Sequence, residues 1–261
     1  MPIFTQSAFI AENIAGKADF QKEYVDAAGF VLMTYQKFKG PSENIRIYIE
    51  GDGKAWKTKR VLSDDPTPSS PIALQMAAVD TSNNVAYVAR PGQFPAPGSS
   101  NCNPTYWSVR RFAPEVVSSI NKVIDVLKEK SGTRHVELTG YSGGGALAVL
   151  IAAQRNDVIA LRTVAGNLNS KMLCDYHRVS RLGGSMDPID FAQKVKNIPQ
   201  RHFIGSKDKT VPFAIAESFV KEEGDTDYRR ITIVNGVTHN CGWAARWVKL
   251  LSMPLDAGPK E

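Results

Sequence analysis

The sequence predicts a single α/β domain over residues 1–261, with a mostly parallel central sheet, an antiparallel N-terminal start and helices on both faces. Three observations predict it. Apolar runs of strand length alternate with runs of helix length along most of the chain, the pattern of β-α-β units. One such change, from strand to helix, passes directly through Gly140-Tyr141-Ser142-Gly143-Gly144. Finally, 261 residues that are 43% hydrophobic and 22% charged supply one large core, and no internal repeat or linker divides them.

Taken in order, residues 1–28 are a lead-in, mixed in character, with a short helix or irregular segment over 14–26. Residues 29–38 read as a strand, 39–42 as a turn and 45–49 as a second strand with period two. Two strands joined by so short a loop predict an antiparallel pair. A helix is expected over 72–79 and a compact apolar strand over 85–89. A long loop then carries Phe94, Pro95, Pro97, Tyr106 and Trp107. Pro114 opens an amphipathic helix in which Val116, Val117, Ile120, Val123, Ile124 and Leu127 recur at helical spacing. Residues 135–139 form the strand before the glycine-rich turn, and 146–153 the buried helix after it. A strand over 158–165 follows, then an irregular segment over 168–188 and a short helix over 191–195. The remaining expectations are a strand over 200–204, a helix over 213–222, a strand over 228–234 and a closing helix over 241–251. Few helices fall between Ser142 and Asp208, so no large lid domain is expected.

A serine between a strand and a helix in G-x-S-x-G matches a nucleophile elbow, a tight turn that lifts the hydroxyl above the sheet. The small residues Gly140, Gly143 and Gly144 let strand and helix approach, and the helix N-terminus directs N–H groups at an anion forming beside the serine. A serine hydroxyl is a poor nucleophile without a base, and the base needs an acid to orient it. Asp208 follows the strand over 200–204 and His239 the strand over 228–234, so all three groups lie at strand ends, in the order Ser, Asp, His. Upstream, the strand over 45–49 runs into Glu50-Gly51-Asp52-Gly53, where a glycine-rich loop offers backbone N–H groups for an oxyanion hole. Asp175 with His177 is a rival acid and base, though no strand precedes it. Trp56, Phe94, Tyr106 and Trp107 are candidates for an acyl pocket or for core and rim packing, and Tyr141 is a candidate substrate contact.

With these residues assembled, the chain resembles the α/β-hydrolase superfamily of serine hydrolases, and looks most like its bacterial esterase- and lipase-like members. The resemblance spans roughly residues 48–251. It rests on Gly140-Tyr141-Ser142-Gly143-Gly144, on Val237-Thr238-His239 and on Gly205-Ser206-Lys207-Asp208-Lys209-Thr210-Val211-Pro212, which is similar to the family's G-x-x-D-x-x-V-P acid loop. It implies Ser142 as nucleophile, Asp208 as acid, His239 as base and the Gly143 N–H as one oxyanion donor. Many relatives carry His-Gly where this chain has Glu50-Gly51-Asp52-Gly53, which leaves the second donor open among Gly51, Asp52 and Gly53. The implied activity is cofactor-independent cleavage of a small-molecule ester or lipid through an acyl-enzyme. A thioesterase or peptidase, or a non-catalytic binding protein on the same fold, are the alternatives.

Composition narrows the partners. The net charge of +6 comes from scattered groups such as Lys54, Lys57, Lys59 and Arg60, or Arg110 and Arg111, with no long basic run. That pattern reads as a solvated basic surface, compatible with peripheral contact with anionic lipid but not with nucleic acid. No apolar run reaches the roughly 20 residues of a membrane span. Residues 1–20 lack a basic n-region ahead of an apolar core and do not read as a signal peptide, although a removed leader gives the same pattern; the compartment stays open. Cys102, Cys174 and Cys241 show no ligand-like spacing with histidine, so no metal is expected. They read as three buried free thiols, or as one disulfide and a thiol, with Cys241 as a packing residue at a helix start. Oligomeric state has no signal in the sequence.

Overall fold

A computed structural model describes residues 6–58, 60–96, 103–224 and 229–255. Lys59, Cys102 and Tyr228, with the Pro97 to Ser100 part of the long loop, lie outside the described residues. The elements run α1 (Gln6–Lys17), β1 (Gln21–Ala27), β2 (Phe30–Phe38), β3 (Asn44–Ile49), α2 (Ile72–Ala78), β4 (Asn84–Val88), α3 (Pro114–Ser131) and β5 (His135–Tyr141). The second half runs α4 (Gly143–Ala152), β6 (Val158–Val164), α5 (Ser170–His177), α6 (Ala192–Val195), β7 (Gln200–Gly205), α7 (Phe213–Glu223), β8 (Arg229–Val234) and α8 (Ala244–Leu251). The strands form one eight-stranded sheet in the order β1-β2-β4-β3-β5-β6-β7-β8. β2 runs antiparallel to both its neighbours, and every pairing from β4 to β8 is parallel.

Period-two alternation in the strands sends side chains into two cores. Ile45, Ile47, Ile49, Val136 and Leu138 face α3, α4, α6 and α7. Tyr48, Tyr35, Val85 and Tyr87 face α1, α2 and α8, where Trp243, Trp247 and Leu250 pack. α4 is buried along its whole length, which is why its sequence shows no polar face. α3 is the reverse case: Pro114 starts it, Gly132 in the left-handed region (φ 65°) stops it, and only its apolar stripe is buried. Beneath the sheet centre, Arg46 pairs with both Asp80 and Glu137, Arg162 joins Glu137, and Tyr48 donates to Asp80 at 2.6 Å while accepting from Trp247 Nε1 at 2.8 Å.

Three expectations are corrected. The lead-in over 1–28 contains a helix, α1, that starts well before residue 14, and in place of the rest of the expected 14–26 segment an additional strand, β1. β1 is an edge strand with only Val25 and Ala27 buried, so its residues carry little apolar alternation. The segment over 168–188 contains the helix α5. And β2 and β3 do not pair; β4 lies between them. The loop joining β2 to β3 crosses two strand spacings, about 10 Å, which a handful of residues spans easily. The antiparallel start comes instead from β1 and β2 and from β2 and β4.

The elbow depends on backbone contact among β3, β5 and α4. A Cβ on Gly140 would stand 2.1 Å from the Gly144 carbonyl oxygen, and one on Gly144 would stand 2.2 Å from the Ile49 carbonyl oxygen. Gly144→Ala therefore forces α4 away from the end of β3. The expected cost is about 1–3 kcal/mol of stability, read from chemical denaturation midpoints, whereas Gly183→Ala, with nothing within 4 Å, leaves the midpoint unchanged.

Candidate active site

The parallel strands deliver their loops to one edge of the sheet. Ile49 of β3 lies beside Gly140 of β5, Tyr141 beside Val164 of β6, and Gly205 of β7 beside Val234 of β8. Chain order reverses between β3 and β5, the place where open sheets of this kind hold ligands.

Ser142 sits on that reversal with φ 52° and ψ −118°, a conformation that costs a non-glycine residue on the order of 1–3 kcal/mol. Its own backbone holds it there. The Ser142 N–H donates to the Val164 carbonyl at 2.9 Å, and the Ser142 carbonyl accepts from Gly145 at 2.9 Å and Asn167 at 3.0 Å. The side chain meets His239 Nε2 at 3.1 Å, and His239 Nδ1 meets Asp208 Oδ2 at 2.8 Å. The other carboxylate oxygen of Asp208 accepts from the N–H groups of Thr210 at 2.8 Å and Val211 at 2.9 Å, so the acid cannot swing away from the imidazole. The Nδ1–H of a neutral His239 donates to Asp208, which leaves Nε2 as an acceptor for the Ser142 hydroxyl. His239 is also held through its carbonyl, which accepts from Trp243 Nε1 at 2.8 Å and from the Tyr141 hydroxyl at 3.1 Å. The same hydroxyl lies 2.8 Å from Asn240 Oδ1.

The loop after β3 passes against the serine: a Cβ on Gly51 would lie 3.2 Å from Ser142 Cβ. The Gly51 N–H donates to Glu50 Oε1 at 2.9 Å, and the Gly51 carbonyl accepts from Gln93 Nε2 at 2.8 Å. The Asp52 carboxylate sits between Arg90 and Arg111, with Arg111 Nη1 at 2.7 Å, and Arg90 also donates to the Arg111 carbonyl at 2.9 Å. The N–H and C=O of a trans peptide point to opposite sides, so the hold of Gln93 on Gly51 turns the Asp52 N–H the other way. Among the described residues no hydrogen bond occupies the N–H of Asp52, nor that of Gly143 at the start of α4. A cavity of about 450 Å³ opens at Ser142 and His239, with Lys54, Ser69, Ser70, Thr210, Asn240 and Tyr141 in its walls.

The structure thus brings together Ser142, Asp208, His239, Gly143, Gly51, Asp52 and Tyr141. It does not bring in Trp56, which is 45% exposed and bridges to Leu62, or Phe94, which is buried behind the loop with its N–H on Thr67 Oγ1. His177 contacts the Thr210 carbonyl and Asp175 pairs with Arg181, so these two make no acid–base pair with each other. Cys174 is a buried free thiol, whereas Cys241 is exposed and precedes the first residue of α8, so it packs no helix start. Arg111, read from the sequence as part of a solvated basic group, points inward to Asp52. Arg90, Gln93 and Glu50 were missed as supports of the loop. Only Glu50, an acid closing an apolar strand, carries a signal that reading in one dimension can find.

No family model matches the sequence, and no curated protein is similar to it. Among solved structures, an α/β serine hydrolase homologue from Coxiella burnetii superposes with a TM-score of 0.61 at 13% identity, covering 88% of this chain and 93% of that one. Est1E from Butyrivibrio proteoclasticus superposes with a TM-score of 0.60 at 17% identity, covering 88% of this chain and 95% of its own. A puromycin-hydrolyzing peptidase from Mycobacterium tuberculosis gives a TM-score of 0.65 at 16% identity, but the match spans 37% of its length. The chain has the α/β-hydrolase fold.

Burial alone would raise the Asp52 carboxyl, but Arg111 and then Arg90 bring it down from 3.8 to about 2. A carboxyl lowered on folding contributes stability that is present above its ordinary value and lost as pH falls through the folded value. The ionised Asp52 carboxyl in this setting therefore contributes a net of roughly 2 kcal/mol that disappears between about pH 4 and pH 2. Asp52→Asn should be less stable than the wild type at pH 6 and converge on it near pH 2, as read from denaturation midpoints across that range.

Proposed function

We propose that the protein is a serine hydrolase that cleaves carboxylic esters through an acyl-enzyme. The observation that carries this is the hydrogen-bonded series Ser142, His239, Asp208 beside two unoccupied amides. Ser142 Oγ attacks the ester carbonyl carbon while His239 Nε2 takes the hydroxyl proton. Asp208 keeps the imidazole in the tautomer that can accept it and stabilises the imidazolium. The carbonyl oxygen, now an oxyanion, lies between the N–H groups of Gly143 and Asp52. Collapse breaks the bond to the alcohol, which leaves with the proton from His239. Water then repeats the sequence on the acyl-Ser142 carbonyl and releases the acid. Each preorganised amide is worth about 10²–10³ in rate.

Ester cleavage is favoured over amide cleavage by the extent of the likenesses. Est1E is matched over 95% of its chain, the peptidase over 37%. The lining of the cavity is mixed: Pro68 and Tyr141 offer apolar surface, and Lys54, Ser69, Ser70, Thr210 and Asn240 place polar groups among it, so no wholly apolar wall receives a long acyl chain. Burying a methylene is worth about 0.8 kcal/mol only where apolar surface receives it. Short acyl groups bearing polar substituents suit these walls.

A fluorophosphonate probe should label the wild type and leave Ser142→Ala unlabelled; a Ser142→Ala variant that retained full esterase activity would sink the mechanism. Asp208→Asn presents an NH₂ to His239 Nδ1 and favours the wrong tautomer, so kcat should fall by about 10³–10⁴ with the fold intact. On a series of p-nitrophenyl esters, kcat/KM should be highest for acetate to butyrate and drop beyond about eight carbons. A rise with chain length would favour a lipase, and turnover of a matched p-nitroanilide at a comparable rate would favour a peptidase.

A further inference from the structure

Glu50 is the last residue before the loop that passes Ser142, and its side chain is turned beneath that loop at 1% exposure. Oε1 accepts the Gly51 N–H at 2.9 Å and lies 3.5 Å from the N of Ala73, in the first turn of α2. Tyr87 faces the carboxyl from β4, Tyr141 on β5 feels its charge together with that of Asp52, and Arg90 is the cation that acts on it from the loop side. Nothing in the acyl-transfer steps uses this carboxyl, yet it contributes to the wall of the cavity at Ser142.

We infer that Glu50 is a positioning residue for the oxyanion hole: by engaging the Gly51 N–H, its carboxylate sets which amide of the loop faces the reacting carbonyl. The inference rests on the serine-hydrolase reading above. Three successive N–H groups, at Gly51, Asp52 and Gly53, compete for that place. Glu50 withdraws the first from one end, and Gln93 orients the Gly51–Asp52 peptide from the other. The Gly51 amide is then taken, and the Asp52 amide, whose carboxylate lies against Gly143, is left unoccupied among the described residues. Remove the Glu50 acceptor and the Gly51 N–H is a buried donor without a partner, which the loop relieves by rotating away from the catalytic arrangement. A carboxylate holds an N–H more tightly than a neutral acceptor does. Burial pushes the Glu50 carboxyl up to about 7, with the Gly51 and Ala73 N–H groups opposing the rise. The hold on the loop therefore strengthens as pH rises through neutrality and loosens below it.

The test follows the Gly51 amide resonance between pH 5 and 9 in the wild type and in Glu50→Gln, with kcat and KM for p-nitrophenyl acetate measured on the same proteins and on Glu50→Ala. The Gly51 amide proton should move with a midpoint near 7 in the wild type and lose that transition in Glu50→Gln, whose neutral side chain still accepts the bond. Below pH 7 the wild-type kcat should fall with one proton more than the Glu50→Gln kcat does. At pH 8, Glu50→Ala should lose about 10- to 100-fold in kcat, with KM changed less than about threefold. A Gly51 resonance that does not titrate, or titrates identically in Glu50→Gln, overturns the inference, as does a folded Glu50→Ala with wild-type kcat. Should Glu50→Ala fail to fold, the comparison with Glu50→Gln decides alone. Activity that survives Ser142→Ala overturns the serine reading and this inference together. Ser142-dependent activity with an inert Glu50 overturns this one only.

Discussion

The turn at Ser142 exists because three stretches of backbone touch without side chains between them. β5 delivers the residue, α4 carries the chain away from it, and the end of β3 lies against the first turn of α4 through Gly144. The unfavourable φ at Ser142 is sustained by bonds its own N–H and C=O make to Val164, Gly145 and Asn167. Everything chemical follows from that contact. It raises the hydroxyl to His239, starts α4 with the Gly143 N–H unoccupied among the described residues, and brings the β3 loop against Ser142. An α/β sheet can place loops at one edge in many ways; the backbone contact converts a shared edge into a shared site.

Much of this was legible in the sequence. The strands from β2 to β7 announced themselves by apolar runs because each is buried on at least one face, the edge strand β8 did so with Val234 buried and Ile233 exposed, and the strand–glycine–helix passage at 140–145 located the turn at Ser142. Asp208 and His239 were legible because both follow apolar strands, Asp208 the buried β7 and His239 the edge strand β8. What escaped has a common physical cause. β1 is a polar edge strand and α5 covers the surface with few buried residues, so neither carries a periodic apolar signal. The β2–β3 pairing was misread because neighbours in a sheet are chosen by packing across the whole domain, and a short loop does not forbid a strand from lying between its ends. The clamp on Asp52 joins residues 38 and 59 positions away, and no local pattern encodes such a pair. The aromatic residues misled in the opposite direction. Trp56 and Phe94 were read by type, and type does not say whether a ring faces a cavity, solvent or core.

Charge in the site is arranged in layers. The acids nearest the serine do not confront it as free anions: Asp208 is spent on His239 and two backbone amides, Asp52 on two arginines, and Glu50 on the Gly51 N–H. Among the described residues of the cavity, Lys54 is a cation with no acidic partner. A negative charge developing on a substrate oxygen therefore meets oriented amides rather than opposing carboxylates, the condition under which preorganised dipoles are most effective.

The connection between β3 and α2 meets the site at two places: Gly51 and Asp52, next to β3, lie against Ser142 and Gly143, whereas Lys54, Ser69 and Ser70, farther along, line the cavity. Tyr141 and Trp243 both anchor the carbonyl of His239, so His239 and Ser142 share one frame built into β5 and the entry to α8. Lys54, Ser69 and Ser70 belong to the connection between β3 and α2 and support none of the triad bonds. On the proposed reading, variation confined to Lys54, Ser69 and Ser70 retunes what the cavity accepts and leaves the hold of Glu50 on Gly51 and of the arginines on Asp52 in place.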